Sequence, residues 1–239
     1  MGASPDGAPA IQPGLLNYFS IWNIFGLQPR TVQTKVPFIR DLTAERNHLF
    51  VLLTETWLRE QKEAEIKVDG YTPFRADRKR PCKRRARDSG GVCINLRNDY
   101  VINTKEVLNF SNGVIEILGI YNEAKNLLIV GLYRQPDDAK GGNRSRTAEY
   151  KQALNKVRSL LSSLKSPLPD ILLCGDFNLP HDSWPDCIPT EGCSREERDM
   201  IEELRSLVTD HYLSQYILTP THKKGNILDL CFKQSKPAA

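Results

Sequence analysis

The sequence lacks any apolar run of 18 residues, the length that a membrane-spanning helix needs, so no membrane span is expected. It has only 4 histidines, and its 6 cysteines form no C-x-x-C pair and no zinc spacing, which argues against a zinc site or a disulfide framework. Cys93, Cys174 and Cys231 lie in apolar runs and are predicted to be small core residues. A reducing compartment, nuclear or cytoplasmic, is therefore expected.

What the sequence contains is typical of a globular protein. Hydrophobic residues make up 40% of the 239 residues and charged residues 26%, which is enough to build a sizeable core. The length suits one domain. Residues 1–14 carry no positively charged segment before an apolar stretch, so they are interpreted as a flexible leader and not as a secretory signal. The remainder, 15–239, is predicted to be one domain.

The net charge of the chain is +4, and basic residues are concentrated in one segment, "RADRKRPCKRRAR" at 75–87. Such a run is as often a solvated loop as a contact with phosphates, and the two are compatible. A nuclear localisation signal is a third interpretation. The candidate nucleic-acid-binding residues in this segment are Arg78, Lys79, Arg80, Lys83, Arg84, Arg85 and Arg87.

Hydrophobic periodicity predicts more strands than helices. Runs such as "LFVLLT", "GGVCINLR", "VIEILGIYN", "NLLIVGLYR" and "DILLCGD" have the length of strands, and "SIWNIF" and "ILDLCF" are shorter examples. Helices are predicted around "TVQTKVPFIRDLT", "TAEYKQALNKVRSLLSSLKS" and "SREERDMIEELRSLV", the last opening with a capping box of Ser194 and Glu197. Few strands alternate with helices, which favours mainly antiparallel sheets covered by helices, an α/β sandwich.

Several of these strands end in polar residues that an apolar core would not select. They are Asn23, Glu55, Asp176 with Asn178, and Asp229, and another strand ends in Tyr133 and Arg134. Burying three carboxylates separately is costly, so a shared site with a cation is the simpler explanation. Oxygen ligands without a histidine or cysteine cluster favour Mg²⁺, with Mn²⁺ as the alternative.

The spacing of the polar residues in the segment Asp176-Phe177-Asn178 suggests that both act on one substrate. In an extended chain, residues i and i+2 point to the same face, so the two polar side chains would address one substrate atom. Asp176 would orient or deprotonate a water, and Asn178 would donate to a phosphate oxygen. The alternative is a plain tight turn, since glycine, aspartate and asparagine all favour turns.

Six motifs in this order resemble a known family: "SIWNIFGL", "LLTETWL", "GGVCI", "LYRQP", "LLCGDFN" and "PTHKKGNILDL". Over about residues 15–235 the chain resembles the endonuclease domain of non-LTR (LINE-type) retrotransposons. That domain belongs to the apurinic-endonuclease-like branch of the endonuclease/exonuclease/phosphatase superfamily. The resemblance implies a four-layered α/β sandwich of two mainly antiparallel sheets flanked by helices, with the site at one edge.

The resemblance also implies roles for the polar residues at the strand ends. Glu55 would be the principal metal ligand, and Asn23 would help to bind metal or phosphate. Tyr133 would contact the scissile phosphate, Asp176 would align or deprotonate the attacking water, and Asn178 would stabilise the pentacoordinate phosphate. The implied activity is Mg²⁺-dependent nicking of DNA to leave a 3′-hydroxyl that primes a reverse transcriptase domain of a longer polypeptide. Arg134 is a weaker candidate for DNA contact than the basic segment.

One part of the family pattern is not found. In the family, Asp229 would support a histidine in a Ser-Asp-His segment on a further strand, and neither the segment nor the strand follows "ILDL" here. The C-terminal strand is therefore expected to be missing, and His222 is the nearest histidine in sequence. Two alternatives stay open: a catalytically impaired nucleic-acid-binding remnant, and a phosphoesterase acting on a small phosphoester.

Overall fold

Two β-sheets pack face to face, and helices cover both outer faces. The computed structural model describes residues 19–27, 29–58, 68–78, 90–137 and 146–234. The predicted leader, most of the basic segment and Cys82 lie outside these residues. The helices are α1 (Pro29–Arg46), α2 (Asn98–Val101), α3 (Thr147–Ser162) and α4 (Arg195–Asp210). None of the helices in the described ranges has the length and apolar character to cross a membrane.

Twelve strands are present in the described part of the chain. They are β1 (Phe19–Asn23), β2 (Phe50–Thr54), β3 (Tyr71–Ala76), β4 (Val92–Arg97), β5 (Thr104–Ser111), β6 (Ile115–Asn122), β7 (Leu127–Arg134), β8 (Asp170–Asp176), β9 (Asp182–Ser183), β10 (Ile188–Pro189), β11 (Leu213–Gln215) and β12 (Asp229–Gln234). One sheet has the order β1-β2-β4-β3, and the other has the order β11-β12-β8-β7-β6-β5. Strands β9 and β10 form a separate hairpin.

Each large sheet contains one parallel pair within an otherwise antiparallel arrangement. In the four-stranded sheet β1 runs parallel to β2, and in the six-stranded sheet β7 runs parallel to β8. The prediction of mainly antiparallel sheets flanked by helices is therefore confirmed. The two parallel pairs matter for function, because the carboxyl ends of parallel strands meet at one edge of a sheet.

Three apolar clusters separate four layers, α1, the two sheets, and α3 with α4. Because side chains alternate along a strand, Val51 and Leu53 of β2 pack towards α1, whereas Phe50 and Leu52 pack between the sheets. A third cluster lies between the six-stranded sheet and helices α3 and α4. Strand β2 is buried on both faces, which explains its uninterrupted apolar sequence.

The capping box predicted for α4 forms only in part. Ser194 is the N-cap, and its hydroxyl accepts a hydrogen bond from the Glu197 N–H at 3.1 Å. The Glu197 carboxylate does not turn back to the cap, because it accepts from the His181 N–H at 3.0 Å and contacts the His181 Nδ1 at 2.6 Å. Tertiary contact with the segment after β8 replaces the local interaction.

Cysteine burial agrees with the sequence. Cys93, Cys174 and Cys231 are buried and free, as predicted, and Cys187 is buried as well. Strands β3, β5, β9, β10 and β11 were not anticipated. Pro73 lies inside β3, which is tolerated because β3 is at the edge of its sheet.

Candidate active site

The polar residues at the strand ends converge on one edge of the two sheets. In the four-stranded sheet, Asn23 closes β1 and Glu55 follows β2 directly. In the six-stranded sheet, Tyr133 of β7 and Asp229 of β12 are the register partners of Asp176 at the end of β8. The residues predicted to share one site therefore lie at the same edge of the two sheets.

Two hydrogen bonds join the sheets across this edge. The Tyr133 hydroxyl donates to the Glu55 Oε1 at 2.6 Å, and the Asn23 Nδ2 donates to the Asp176 Oδ2 at 2.8 Å. Each bond connects a residue of one sheet with a residue of the other. The bonded residues are 78 and 153 positions apart in the sequence, so the site forms only when the two sheets pack together.

Asp176 is the most strongly perturbed carboxyl group of the site. Burial, followed by the negative charge of Asp229, raises its pKa to about 7, while the hydrogen bond from Asn23 acts in the opposite direction. The charge of Glu55 raises the pKa further. A carboxylate with a pKa near neutrality is suited to accept a proton at physiological pH.

Tyr133 stays a neutral hydrogen-bond donor. Burial, the hydrogen bond to Glu55 and the charge of that carboxylate all hold the pKa of the Tyr133 hydroxyl well above its ordinary value. The side chain is 1% exposed and reaches the site from between the sheets. Its role is therefore to donate, not to carry charge.

Asp229 completes the acidic group. Burial raises its pKa, whereas the hydrogen bond from Thr221 and the nearby charge of His222 lower it. The Asp229 N–H donates to the Thr221 Oγ1 at 3.1 Å. The Asp229 Oδ1 atom is buried without a hydrogen-bond partner among the described residues, so it is one oxygen that a bound group would satisfy.

Asn178 differs from the prediction in its backbone and in its contacts. Its φ of 50° is left-handed, so the argument from an extended chain does not apply. The Asn178 N–H donates to the Asp176 Oδ1 at 3.2 Å, and its Nδ2 donates to the Arg134 carbonyl oxygen at 2.7 Å. Asn178 therefore holds Asp176 through its backbone, while its side chain fixes the adjoining loop.

Gly175, next to Asp176, is required by a close approach of the neighbouring strand. Its φ is 144°, and a Cβ atom there would lie 1.9 Å from the Leu132 carbonyl oxygen. No larger residue fits, because the neighbouring atom belongs to rigid backbone. The glycine thus places Asp176 at its position opposite Tyr133.

The candidate metal ligands suit a hard cation that completes its coordination shell with water or phosphate. They do not form a site closed by protein ligands alone. Across the described ranges, no group of three or more His, Cys, Asp or Glu side chains is arranged to hold a metal ion by itself. Glu55 and Asn23 offer a carboxylate and an amide, and the Asp229 oxygen without a partner lies at the same edge. Mg²⁺ commonly takes one or two carboxylates and completes its shell with water and phosphate, which matches this donor set.

The structure turns two predicted DNA-binding arginines inward. Arg78 binds the fully buried Glu116 through Nε at 2.8 Å and Nη2 at 2.9 Å. Arg134 is fully buried, and its guanidinium donates to the Asn178 carbonyl oxygen and to Asp137. The Arg134 prediction is corrected, because a side chain without exposed surface does not reach a phosphate. The charge of Arg78 is already matched by Glu116.

Six other basic candidates lie outside the described residues: Lys79, Arg80, Lys83, Arg84, Arg85 and Arg87. The residues on either side of their segment lie next to residues of the site. Arg78 precedes it with its guanidinium 5.7 Å from the centre of the Tyr133 ring, and Gly90 follows it, accepting a hydrogen bond from the Trp57 N–H at 2.9 Å. Both ends therefore lie beside the candidate site.

Sequence reasoning missed three residues that support the site. The Trp57 Nε1 donates to the Glu55 Oε2 at 3.3 Å, Glu116 anchors Arg78, and Thr221 holds the backbone of Asp229. A signal existed for Glu116, since a single acid inside the apolar run "VIEILGI" requires a buried partner. Trp57 and Thr221 give no comparable signal, because their roles depend on contacts between elements.

Comparison with known proteins shows that the fold is similar to those of nucleases and phosphatases. Residues 127–238 match the family model described as endonuclease-reverse transcriptase. No curated protein matches the chain. Among solved structures, the 3′ phosphatase NExo from Neisseria, bound to product DNA, is 16% identical with a TM-score of 0.58, and the match covers 90% of this chain and 85% of that one.

Two further solved structures are similar in the same way. The AP endonuclease LMAP from Leishmania major is 12% identical with a TM-score of 0.56, covering 91% of this chain and 78% of that one. The endonuclease domain of TRAS1, a telomere-specific non-LTR retrotransposon, is 14% identical with a TM-score of 0.49, covering 87% and 81%. Identities this low concern the fold alone. Residues 127–238, a little under half of the chain, match the endonuclease-reverse transcriptase family, and the fold is similar to those of the 3′ phosphatase and the AP endonuclease.

Proposed function

We propose that this chain is the Mg²⁺-dependent DNA endonuclease domain of a non-LTR retrotransposon, which nicks target DNA and leaves a 3′-hydroxyl. The observation that carries the proposal is the convergence of Glu55, Asn23, Tyr133, Asp176 and Asp229 on one edge of the two sheets. Hydrolysis of a phosphodiester needs a proton acceptor for water, donors for the phosphate and charge compensation, and these residues supply the first two.

In the proposed reaction, Asp176 accepts a proton from water, and the water oxygen forms a bond to phosphorus. The bond from phosphorus to the 3′-oxygen breaks, and that oxygen takes up a proton to become the 3′-hydroxyl. Tyr133 and Asn23 would orient the phosphate by donating hydrogen bonds. A bound Mg²⁺, held by Glu55 and Asn23, would compensate the negative charge of the phosphate.

The choice of DNA over a small phosphoester rests on charge and on the family description. Residues 79–87 contain six basic residues, and the described residues on either side of this segment, Arg78 and Gly90, lie beside the site. A basic cluster favours a polyanion by releasing counterions. The family model names an endonuclease together with a reverse transcriptase. A 3′-hydroxyl at a nick is the primer that a reverse transcriptase domain of a longer parent polypeptide would extend.

The test is nicking of supercoiled plasmid by the purified chain, with Mg²⁺ and with EDTA. We expect Mg²⁺-dependent conversion to open circles, and extension of the nicked ends by a DNA polymerase without prior phosphatase treatment. Replacement of Asp176 by Asn should lower the rate by about 10²–10⁴-fold, since the proton acceptor is lost. The matched control is Asp170→Asn, at the other end of β8.

Two outcomes would contradict the proposal. DNA binding without nicking by the wild-type chain would identify a catalytically impaired nucleic-acid-binding remnant. Turnover of small phosphoesters, such as inositol phosphates, in the absence of plasmid nicking would identify a phosphoesterase on the same fold.

A further inference from the structure

Two aromatic residues stand at the rim of the candidate site, next to its metal-binding residues. Phe25, two residues after Asn23, is 68% exposed, and Trp57, two residues after Glu55, is half-buried. Their ring centres are 4.9 Å apart, with the planes inclined at 54°. A single exposed aromatic residue is common in folded proteins. This pair is different because its backbone and its rings are fixed in a defined position.

The backbone at both aromatic residues adopts a conformation that bulky side chains rarely accept. The φ angles are 46° at Phe25 and 55° at Trp57, and Glu55, which is hydrogen-bonded to Gly26 and Trp57, has a φ of 53°. Left-handed conformations at residues other than glycine are strained, and they persist where the surrounding structure fixes them. Such strain clusters at ligand-binding sites.

A set of hydrogen bonds fixes the Phe25 loop in this conformation. The Phe25 N–H donates to the Asn23 Oδ1 at 3.1 Å, and the Gly26 N–H donates to the Glu55 carbonyl oxygen at 2.7 Å. The Lys35 Nζ donates to the carbonyl oxygens of Phe25 at 3.0 Å and Gly26 at 2.9 Å. The exposed ring is therefore attached to a rigid frame that includes two site residues.

The Trp57 ring is held equally firmly. Its Nε1 donates to the Glu55 Oε2 at 3.3 Å, and its backbone N–H donates to the Gly90 carbonyl oxygen at 2.9 Å. A Cβ atom on Gly26, which has a φ of 85°, would lie 2.4 Å from the ring. The absence of a side chain at Gly26 is thus what lets the indole pack beneath Phe25.

We propose that Phe25, backed by Trp57, is a stacking platform for one nucleobase beside the scissile phosphate. This inference rests on the proposed function, because it takes a nucleic acid as the occupant of the site. A phosphate bound by Asn23 and Glu55 carries its flanking sugar and base past the Phe25 ring, since Asn23 is hydrogen-bonded to the Phe25 backbone. Aromatic faces bind bases of any sequence, because every base has a π-face.

The platform gives a preference for bases that leave the duplex stack easily. A base inside B-form DNA has both faces occupied, so stacking on Phe25 requires that one base is unstacked. Flexible pyrimidine–purine steps and single-stranded positions meet this requirement at the lowest cost. Phe25 is therefore a specificity-determining residue, while the chemistry stays with the residues of the strand ends.

The experiment measures the affinity of the full chain for two single-stranded probes in Ca²⁺ or EDTA, by fluorescence anisotropy. One probe is oligo-dT, and the other is an abasic strand of the same length and charge. The variant Phe25→Ala should weaken binding of oligo-dT by about 5- to 140-fold, which is about 1–3 kcal/mol at 1.4 kcal/mol per factor of ten. Its affinity for the abasic strand should stay within about twofold of wild type, since electrostatic contacts remain.

Three further variants separate stacking from other effects. Phe25→Tyr keeps the aromatic ring and should bind as wild type does, whereas Phe25→Leu keeps an apolar side chain without a π-face and should resemble Phe25→Ala. The matched control is Tyr212→Ala. Tyr212 is 69% exposed with a φ of 53°, and it precedes β11, which pairs with the end of β12 opposite to Asp229. Its replacement should change neither affinity.

The outcomes distinguish the platform from the proposed function. Equal weakening on both probes, or no weakening on either, would overturn the platform. So would loss of a wild-type dimer in Phe25→Ala with unchanged DNA affinity, which would assign the patch to a second copy of the chain. A wild-type chain that neither binds these probes nor nicks plasmid would instead overturn the proposed function itself.

Discussion

Breaking the ion pair between Arg78 and Glu116 should be strongly destabilising, because the pair is buried. The Glu116 side chain has no exposed surface and that of Arg78 is 11% exposed. Glu116 accepts two hydrogen bonds from Arg78, one from the Gly91 N–H at 3.1 Å and one from the Ser111 hydroxyl at 3.2 Å. Four donors on one carboxylate compensate for the loss of its hydration.

Replacement of Arg78 by Met should destabilise the fold by about 3–5 kcal/mol, since Glu116 would remain buried without a cation. Only the two neutral donors, from Gly91 and Ser111, would remain of the four hydrogen bonds that the structure describes at Glu116. The loss is a large fraction of the about 5–15 kcal/mol by which a folded protein is usually stable. The Arg78 guanidinium also packs over the Tyr133 ring at 5.7 Å, so the site should loosen with the pair.

The assay is equilibrium unfolding in urea, with the midpoint and slope fitted for each variant. The matched control is Lys105→Met, which breaks the pair of Lys105 with Glu123, where both side chains are about 60% exposed. That change should have a much smaller effect on the free energy of unfolding, because water solvates the remaining charge. The double variant Arg78→Met with Glu116→Met should recover most of the loss, since neither charge is then buried alone.

The reasoning would be refuted if Arg78→Met and Lys105→Met had equal effects. It would also be refuted if the double variant were as unstable as Arg78→Met alone, because the cost would then come from lost packing.

Three other predictions follow from the site and its surroundings. Glu55→Gln should weaken Mg²⁺ binding by more than about tenfold while leaving the unfolding midpoint almost unchanged; unchanged affinity in a calorimetric titration would remove Glu55 from the metal site. Replacing Lys83, Arg84, Arg85 and Arg87 with Ala should reduce the slope of log affinity for DNA against log salt concentration by up to about 4 × 0.9 units, and an unaltered slope would mean that this segment is only solvated. Asp182 is buried, and burial raises its pKa from 3.8 to about 7. The unfolded state therefore releases this proton at a lower pH than the folded state does, so the wild-type chain loses stability as pH rises from about 4 to 7. Asp182→Asn should therefore gain stability relative to wild type over that range, by at most about 4 kcal/mol for about three pKa units, and a difference that does not vary with pH in urea unfolding would contradict this.

The sequence by itself was sufficient for the elements with strong local patterns. Apolar runs predicted β2, β6, β7 and β8, and the spacing of Leu154, Val157 and Leu161 predicted α3, whose buried face these residues form. Polar residues at the strand ends indicated a shared site, because burying each acid separately would be too costly. The strand and helix predictions are confirmed because they depend on periodicity and burial, which the local sequence carries, whereas the shared site stays a prediction.

Tertiary structure decided the elements whose patterns are weak. Strand β3 contains Pro73, and no residue of β5 is buried, so neither has the apolar alternation that predicts a strand. Both form because a neighbouring strand offers hydrogen-bond partners, β4 for β3 and β6 for β5. Pairing between distant segments cannot be deduced from either segment alone.

The roles of individual charged and polar residues were also decided by tertiary structure. Arg78 and Arg134 were candidates for DNA contact, yet both bind partners within the fold. Arg78 pairs with the buried Glu116, and Arg134 donates to the Asn178 carbonyl oxygen. Asn178 was expected to be extended beside Asp176, but a left-handed turn directs its amide to the Arg134 carbonyl oxygen. The physical reason is that a buried polar group must find a partner, and that partner comes from whichever element the fold brings near.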